Sequence, residues 1–308
     1  MSSIAILGSL NLDFVTRMER FPRPGETVSA CSFSQYTGGK GANQAVACGR
    51  LGSMVSMFGA LGRDMYGPKL LQSLKESDVG TDDILFCDDA PTGMAHIWVE
   101  AGGENSIAIL AGANARVSPE YVAQVLPKLK QASWLLLQLE VPLETIASLL
   151  RQLPANGPKI ILDPAPAQPL DQLPLERVWL ITPNEHELQT LVGLPTSTVE
   201  EIAEACRRLH ATTGIGLVLC KAGDRGAYLD DGRTFRHFPG YSVPSVDSTA
   251  AGDAFNGALA VAVSEGKSLV EAIGWANAAG ALCVTKAGAQ QSLPWRRELE
   301  EFIRNKKI

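Results

Sequence analysis

The sequence predicts an α/β protein built on a doubly wound, mostly parallel sheet flanked by helices, with a small antiparallel β lid. Two observations carry this prediction. Short apolar runs alternate with helical patterns, and each run ends in polar or Gly/Pro residues, as parallel strands do where they feed loops at their carboxyl ends. Two further stretches, roughly 14–36 and 92–110, alternate apolar with polar residues around turns, which suits a small separate sheet. No internal repeat, low-complexity segment or linker interrupts residues 1–308, so a single domain with a two-piece lid is expected.

Taken in order, Ile4–Leu7 is a buried-type strand ending at Gly8-Ser9, with Asn11 and Asp13 just beyond its carboxyl end. An amide and an acid two apart in extended chain point the same way, so both can face one polyol, although both are also ordinary turn residues. Phe14–Phe33 runs around the turn Phe21-Pro-Arg-Pro-Gly25 and reads as an antiparallel ribbon. Thr37-Gly-Gly-Lys-Gly-Ala-Asn43 precedes a helical pattern over Gln44–Leu51, and its adjacent glycines allow close backbone approach to a ligand. It is not a Walker A loop, because Ser34 stands where the first Gly belongs and Gly41 follows Lys40. Gly266-Lys-Ser268 fails the same pattern at Val261.

Strand Val55–Ala60, helix Pro68–Glu76 and strand Ile84–Phe86 follow, then a hairpin of Met94–Glu100 and Ser106–Leu110. Helix Pro119–Gln131 leads into strand Trp134–Leu139, which ends at Glu140. Lys159–Leu162, Val178–Ile181 and Leu217–Cys220 are further strands, ending at Asp163-Pro-Ala-Pro166, Thr182-Pro-Asn-Glu-His-Glu187 and Lys221-Ala-Gly-Asp-Arg-Gly226. Leu269–Val284 is an Ala- and Gly-rich helix with Asn277 as its one internal amide, so it packs closely against a neighbour.

Composition narrows the function. A net charge of −6 and 6% aromatic residues argue against nucleic-acid binding, and the Arg304 to Lys307 tail reads as a solvated helix end. The six cysteines are scattered without a Cys-x-x-Cys pair, which predicts buried, reduced thiols rather than disulfides or zinc. The start Met1–Leu7 has no basic n-region, and no apolar run approaches the roughly 18 residues of a membrane span. A cytoplasmic protein without membrane or nucleic-acid partners is expected.

The chemistry concentrates in Asp247-Ser-Thr-Ala-Ala-Gly-Asp253, which runs into an apolar helical pattern. Ala250, Ala251 and Gly252 leave amides uncovered where a helix begins, a natural seat for phosphate. Asp253 beside that anion can take a proton from an attacking hydroxyl, or can be a plain first-turn acid.

Gly38-Gly-Lys-Gly-Ala-Asn43 and Asp247–Asp253 resemble the two signatures of the ribokinase-like carbohydrate kinase family, and the resemblance runs from Ile4 to about Pro294. Gly8-Ser-x-Asn-x-Asp13, Gln138-Leu-Glu140, Asp163-Pro-Ala-Pro166 (without the usual Asn), Thr182-Pro-Asn-Glu185 and Gly288-Ala-Gln290 extend it in order. Ser248 and Ala250 depart from a consensus Thr and Gly, and Lys221 and Ala222 stand where small polar or apolar residues are frequent. The resemblance implies a ribokinase-like fold and ATP-dependent phosphorylation of the 5-hydroxyl of D-ribose. The alternatives are 2-deoxyribose, another sugar-like alcohol, or a sugar-binding sensor without turnover; a nucleoside substrate is disfavoured because Phe14 is the one aromatic beside the sugar motifs.

Residue by residue, the resemblance implies that Asn11, Asp13, Gly38, Gly39, Lys40, Asn43 and Glu140 hold the sugar, with Asp253 as base. It implies an anion hole from the amides of Ala250, Ala251 and Gly252. Nucleotide contacts are implied for Asn184, Lys221, Ala222, Gly223, Asp224, Arg225, Gly226, Gly252 and Asn277. Glu187 with Asn184 is implied to order Mg²⁺ through water, and His186 to lie at the surface. A K⁺ site is implied at Asp247, Thr249, Cys283, Lys286, Gly288 and Ser292, although Asp247 also reads as a simple turn acid. A homodimer formed through the lid is expected.

Overall fold

The computed structural model describes residues 3–306; Met1 and Ser2 of the predicted start and Lys307 of the basic tail lie outside them. In chain order the elements are β1 (Ser3–Leu7), β2 (Asn11–Met18), β3 (Ala30–Gly38), α1 (Lys40–Arg50), β4 (Met54–Phe58), β5 (Ala60–Gly62), α2 (Gly67–Glu76), β6 (Val79–Gly80), β7 (Leu85–Cys87), β8 (Gly93–Glu100) and β9 (Asn105–Leu110). There follow α3 (Pro119–Leu129), β10 (Trp134–Leu137), α4 (Leu143–Gln152), β11 (Lys159–Leu162), β12 (Leu180–Ile181), α5 (Glu185–Val192), α6 (Val199–Thr213) and β13 (Val218–Lys221). The chain ends with β14 (Ala227–Asp230), β15 (Phe235–Phe238), α7 (Ala251–Ser264), α8 (Leu269–Cys283) and α9 (Arg296–Lys306).

The main sheet has nine strands in the order β15-β14-β13-β12-β11-β10-β1-β4-β6. Pairing is parallel from β13 to β6, and β14 and β15 add an antiparallel edge that the sequence reading did not foresee. Successive residues of β1 serve opposite faces. Ile4 and Ile6 join the core beneath α1, α2, α7 and α8, while Ala5 and Leu7 join the core beneath α3, α4 and α6. From β1 the chain winds one way through β4 and β6, then returns and winds the other way from β10. The switch point therefore lies between β1 and β10, where open α/β sheets bind ligands.

The second sheet has the order β3-β2-β8-β9. Its outer pairs are the two predicted antiparallel ribbons, and they join through a parallel β2–β8 pair in which Asn11 faces Gly93. The outermost strand, β9, is exposed along its whole length.

Helices α1, α7 and α8 form one close layer of small residues. An added methyl carbon at Gly257 of α7 would come within 2.5 Å of Ala47 Cβ on α1, so glycine sets that approach. Ala258, Ala262, Ala272, Ala276 and Ala279 are fully buried in the same layer, as the Ala/Gly pattern of the eighth helix implied. Of the six cysteines, five are buried and Cys31 is exposed, and all are free thiols. Among the described residues no helix is long and apolar enough to cross a membrane.

Candidate active site

The switch point assembles one end of the site. β1 ends at Leu7, the chain turns through Ser9, and Asn11 opens β2 opposite Gly38 of β3. Ser9 Oγ donates to Glu140 Oε2 at 2.5 Å, and the Lys40 amide donates to the same oxygen at 3.1 Å. The two loops beyond the switch point are thus tied by one carboxylate. Gly38 must lack a side chain, since a methyl carbon there would sit 2.2 Å from Asp13 Oδ2. Gly39 has φ of 87° and packs against the Asn11 amide, so the chain can turn straight into α1. That helix begins at Lys40 rather than at Gln44, which places Lys40, Asn43 and Gln44 on one face.

Across from this face, α7 presents Asp253 in its first turn. Asn43 Nδ2 donates to Asp253 Oδ2 at 2.9 Å and Gln44 Nε2 donates to Oδ1 at 3.1 Å. Ala250 caps the helix in the left-handed region at φ 61° and ψ 8°, the conformation that a glycine would adopt more readily. One expectation is corrected here. The Ala251 amide donates to Ser248 O at 3.2 Å, so of the three expected amides it is occupied, while the first-turn amides of Gly252 and Asp253 take no backbone carbonyl.

The electrostatics follow from burial. Asp253 is 5% exposed, and burial pushes its carboxyl up to about 6; the Asp163 charge adds to this, while Lys40 and the Asn43 and Gln44 amides oppose it. Burial, then Glu140 and Asp253, raise Asp13 to about 7. For Lys40 burial alone acts downward, but the carboxylates of Asp253, Asp163, Glu140 and Glu187 outweigh it and hold the ammonium above its ordinary value. A dense set of carboxylates around one lysine, with a base that titrates near neutrality, is equipped to grip hydroxyls and accept a proton.

A cavity of about 750 Å³ opens on the other side of Asp253 and Lys40. Asn184, Glu187, Lys221, Gly223, Asp224, Gly226, Gly252 and Asn277 line it. Ala222 and Arg225 do not: Ala222 is buried in the core, and Arg225 turns to Glu185 and to Ser197 O. Asn184 and Glu187 form a capping box for α5, each side chain taking the other's amide at 2.7 Å. This engages Glu187 Oε2 and leaves Oε1 as the carboxylate oxygen for a ligand. Asn277 Nδ2 donates to Phe238 O and Pro239 O, both at 3.1 Å, which leaves its Oδ1 as an acceptor. His186 is exposed at the rim, as expected.

The six residues read as a cation site meet beneath the α7 N-terminus. Asp247 Oδ1 accepts the Thr249 amide at 2.9 Å and its hydroxyl at 2.7 Å, and Oδ2 accepts the Gly288 amide at 3.0 Å. Burial acts upward on Asp247, but these hydrogen bonds prevail and hold its carboxyl below the ordinary value. Cys283 Sγ lies 3.5 Å from Thr249 O and 3.0 Å from Ser292 Oγ, and Cys283 O accepts the Lys286 amide at 3.2 Å. Lys286 Nζ is turned away onto Glu298 at 2.6 Å, so that residue can offer its carbonyl only. One carboxylate with hydroxyl and carbonyl oxygens is a hard donor set of low charge, which fits a monovalent cation.

Four contributors escaped the sequence reading. Gln44 touches Asp253 directly, and its position one turn after Lys40 on the same face was the available signal. Gln138 Nε2 donates to Gln44 Oε1 at 2.7 Å, and Asp163 Oδ2 accepts from Gln44 Nε2 at 3.0 Å; both were noticed only as motif letters. Asn114 Nδ2 donates to Asn11 Oδ1 at 2.8 Å and fixes that amide's orientation, and nothing local in the sequence marked it.

Comparison with known proteins agrees with this geometry. The model for "pfkB family carbohydrate kinase" matches residues 1–296. The chain is 39% identical over 304 residues to a ribokinase of Bacillus subtilis, covering 98% of this chain and 100% of that one. It is 34% identical to a deoxyribokinase of Salmonella typhimurium, covering 97% of this chain and 98% of that one. The structure of an Arabidopsis thaliana ribokinase complexed with ribose and ATP superposes with a TM-score of 0.91 at 34% identity, covering 98% of this chain and 99% of that one. With its family model matched over nearly the full length and relatives at this identity, the chain belongs to the pfkB family of carbohydrate kinases.

Proposed function

We propose that this chain transfers the γ-phosphoryl group of ATP to the 5-hydroxyl of D-ribose, giving ribose 5-phosphate and ADP. The observation that carries the reading is Asp253: a buried carboxylate, aimed by Asn43 and Gln44, between a carboxylate-rich pocket and a cavity floored by helix amides. The hydroxyl oxygen bonds to the γ-phosphorus as its proton passes to Asp253. The bond from that phosphorus to the β,γ-bridging oxygen breaks, and its electron pair leaves with ADP. Lys40 and the amides of Gly252 and Asp253 balance charge on the moving phosphoryl group. Asn11, Asp13, Asn43 and Glu140 orient the sugar, since carboxylates accept from vicinal hydroxyls and amides donate.

Glu187 beside Asn184 is read as holding Mg²⁺ through water, which neutralises phosphate charge when bound. The Asp247 to Ser292 set is read as a K⁺ site that fixes the orientation of the α7 amides. We read residues 1–308 as one domain whose lid, roughly 14–36 and 92–110, closes over the sugar and excludes water. Phe33, Trp98, Ile107, Ile109 and Leu110 leave an exposed apolar lid surface, which supports a homodimer through the lid; light scattering that returns a monomer mass would end that part. ATP as donor carries with it a cytoplasmic place of action.

The deciding experiment is ADP production with ATP, Mg²⁺ and K⁺ across a sugar panel, comparing kcat/KM for ribose and 2-deoxyribose. A ribose preference supports the proposal. The second reading, 2-deoxyribose, draws on the deoxyribokinase relative and on the ability of Asp13 to accept from O3 of either sugar. A deoxyribose preference keeps the chemistry and reassigns the substrate, while sugar binding without turnover supports a sensor.

A further inference from the structure

Asp163 and Lys221 form a buried ion pair that the transfer scheme above does not use. Lys221 Nζ stands 2.8 Å from Asp163 Oδ1, with the two side chains 12% and 3% exposed. The other oxygen, Oδ2, accepts from Gln44 Nε2 at 3.0 Å, and the same nitrogen donates to Asp253 Oδ1 at 3.1 Å. Gln44 is 1% exposed, and its Oε1 is held by Gln138 Nε2 at 2.7 Å, so its carboxamide cannot swing away. One immobilised amide therefore bridges two carboxylates. At the far end the ammonium borders the nucleotide cavity: a methyl carbon added at Gly252 would lie 3.5 Å from Lys221 Nζ. The cation thus stands between Asp163 and the bare amides of the α7 first turn.

We propose that Asp163 and Gln44 are positioning residues for Asp253, and that Lys221 couples them to the nucleotide by sharing its ammonium between Asp163 and a phosphate seated on α7. This rests on the kinase reading. Without nucleotide the ammonium neutralises Asp163. A bound phosphate draws the ammonium toward itself, and the freed negative charge of Asp163 then acts on Asp253 through a single bridging amide. A neighbouring like charge makes a carboxylate a stronger base, so the proton acceptor gains basicity when the phosphoryl donor is in place. No covalent change is involved beyond the transfer itself.

Several other groups lie around Asp253: Lys40 from α1, Asp13 from β2 and Cys283 from α8 act with it directly, and Glu140 beyond β10 and Glu187 from α5 act on Lys40. They are the same in every variant of the test, which compares the parent with Asp163→Asn, Lys221→Met and the double variant. Asp163→Asn keeps the shape and an oxygen for Gln44 while removing the charge. Measured with saturating ATP and sugar, the acid limb of kcat should move down by about one pH unit in Asp163→Asn, with kcat lowered about tenfold. In Lys221→Met the limb should move up by about the same amount, with a raised KM for ATP. The double variant should return the limb close to its parent position, because removing one negative and one positive neighbour shifts Asp253 in opposite directions.

Sugar affinity without nucleotide, read by calorimetry, should change less than about threefold throughout, which a merely structural role of the pair would not give. Limbs that stay put, that move the same way in both single variants, or that remain displaced from the parent position in the double variant overturn the coupling. If Lys221→Met does not fold, Lys221→Gln keeps a donor on Asp163 without the charge and serves the same comparison. A parent protein without turnover would remove the kinase reading itself. A parent that turns over, with unmoved variants, removes only the coupling.

Discussion

The two ends of the site are built differently. At the sugar end a single added methyl carbon collides: 2.2 Å from Asp13 Oδ2 at Gly38, 2.6 Å from the Asn11 amide at Gly39 and 2.7 Å from the Gly8 carbonyl carbon at Gly41. At the nucleotide end the α7 and α8 side is open, with the same addition meeting Lys221 Nζ at 3.5 Å from Gly252 and Ala251 O at 3.5 Å from Gly280, whereas the loop after β13 is tight at Gly226, 2.1 Å from Phe238 O. Hydroxyls are distinguished by contact, so the end that reads them has no slack. Phosphate is gripped by amides and charge, and the helix side that would grip it tolerates open space.

This contrast can be broken most sharply at Asp253, which belongs to both ends. Asp253→Asn should lower kcat by about 10²–10⁴ while sugar affinity stays within a few-fold, and near-parent turnover would remove Asp253 as the base. The base must be ionised, so parental kcat should rise as pH passes upward through about 6; a flat profile across that range would contradict the assignment. Next in size is the tight end. Asp13→Ala should raise the sugar KM by about 10–100-fold with the ATP KM almost unchanged, as expected for lost hydrogen bonds to a charged group. Gly38→Ala should move in the same direction by displacing Asp13, and an unaltered sugar KM in either variant would show that this end is not read by contact.

A smaller effect is expected behind the site. Gly257→Val should separate α7 from α1 and cost about 1–3 kcal/mol by overpacking, visible as a lowered denaturation midpoint. It should also lower kcat, because Asn43 and Gln44 reach Asp253 across that helix pair; lost stability with intact kcat would mean the helices adjust independently. The smallest effect belongs to the open end. Gly280→Ala in α8 should add about 0.5–1 kcal/mol of stability through helix propensity and change the ATP KM less than about threefold. A large loss of ATP affinity there would show the cavity to be tighter than its geometry indicates.

Local signals carried much of this reading. The apolar runs of β1, β10, β11 and β13 end where polar residues gather, so strands and site loops were legible together. Two hairpins announced themselves by alternation and turns. The parallel joining of β2 to β8 was not legible, because it pairs residues far apart in the chain and no periodicity records a partner. The β14–β15 hairpin is equally long-range in its consequence, since it adds an antiparallel edge beyond β13. Within the site, Asp253, Lys40 and Asn43 stood out by residue type in a glycine-rich setting. Asn114 did not, because a single buried amide has meaning only through what it touches. One of the three amides expected to be free, that of Ala251, is occupied by a turn onto Ser248 O that goes with the αL conformation of Ala250.

By itself the sequence determined the inventory: which segments become strands and helices, which loops face the ligand, and which acids, amides and glycines stand in them. Those properties depend on period, propensity and composition, which are local. Only the tertiary structure decided what the inventory does. The α1–α7 contact at Gly257 sets Asn43 and Gln44 on Asp253, and the switch point sets Ser9 on Glu140. The sheet order β11-β12-β13 brings Lys221, at the end of β13, across β12 onto Asp163. Each of these pairs is remote in sequence, and the energy that aligns it comes from burial of the whole layer, which no single segment encodes.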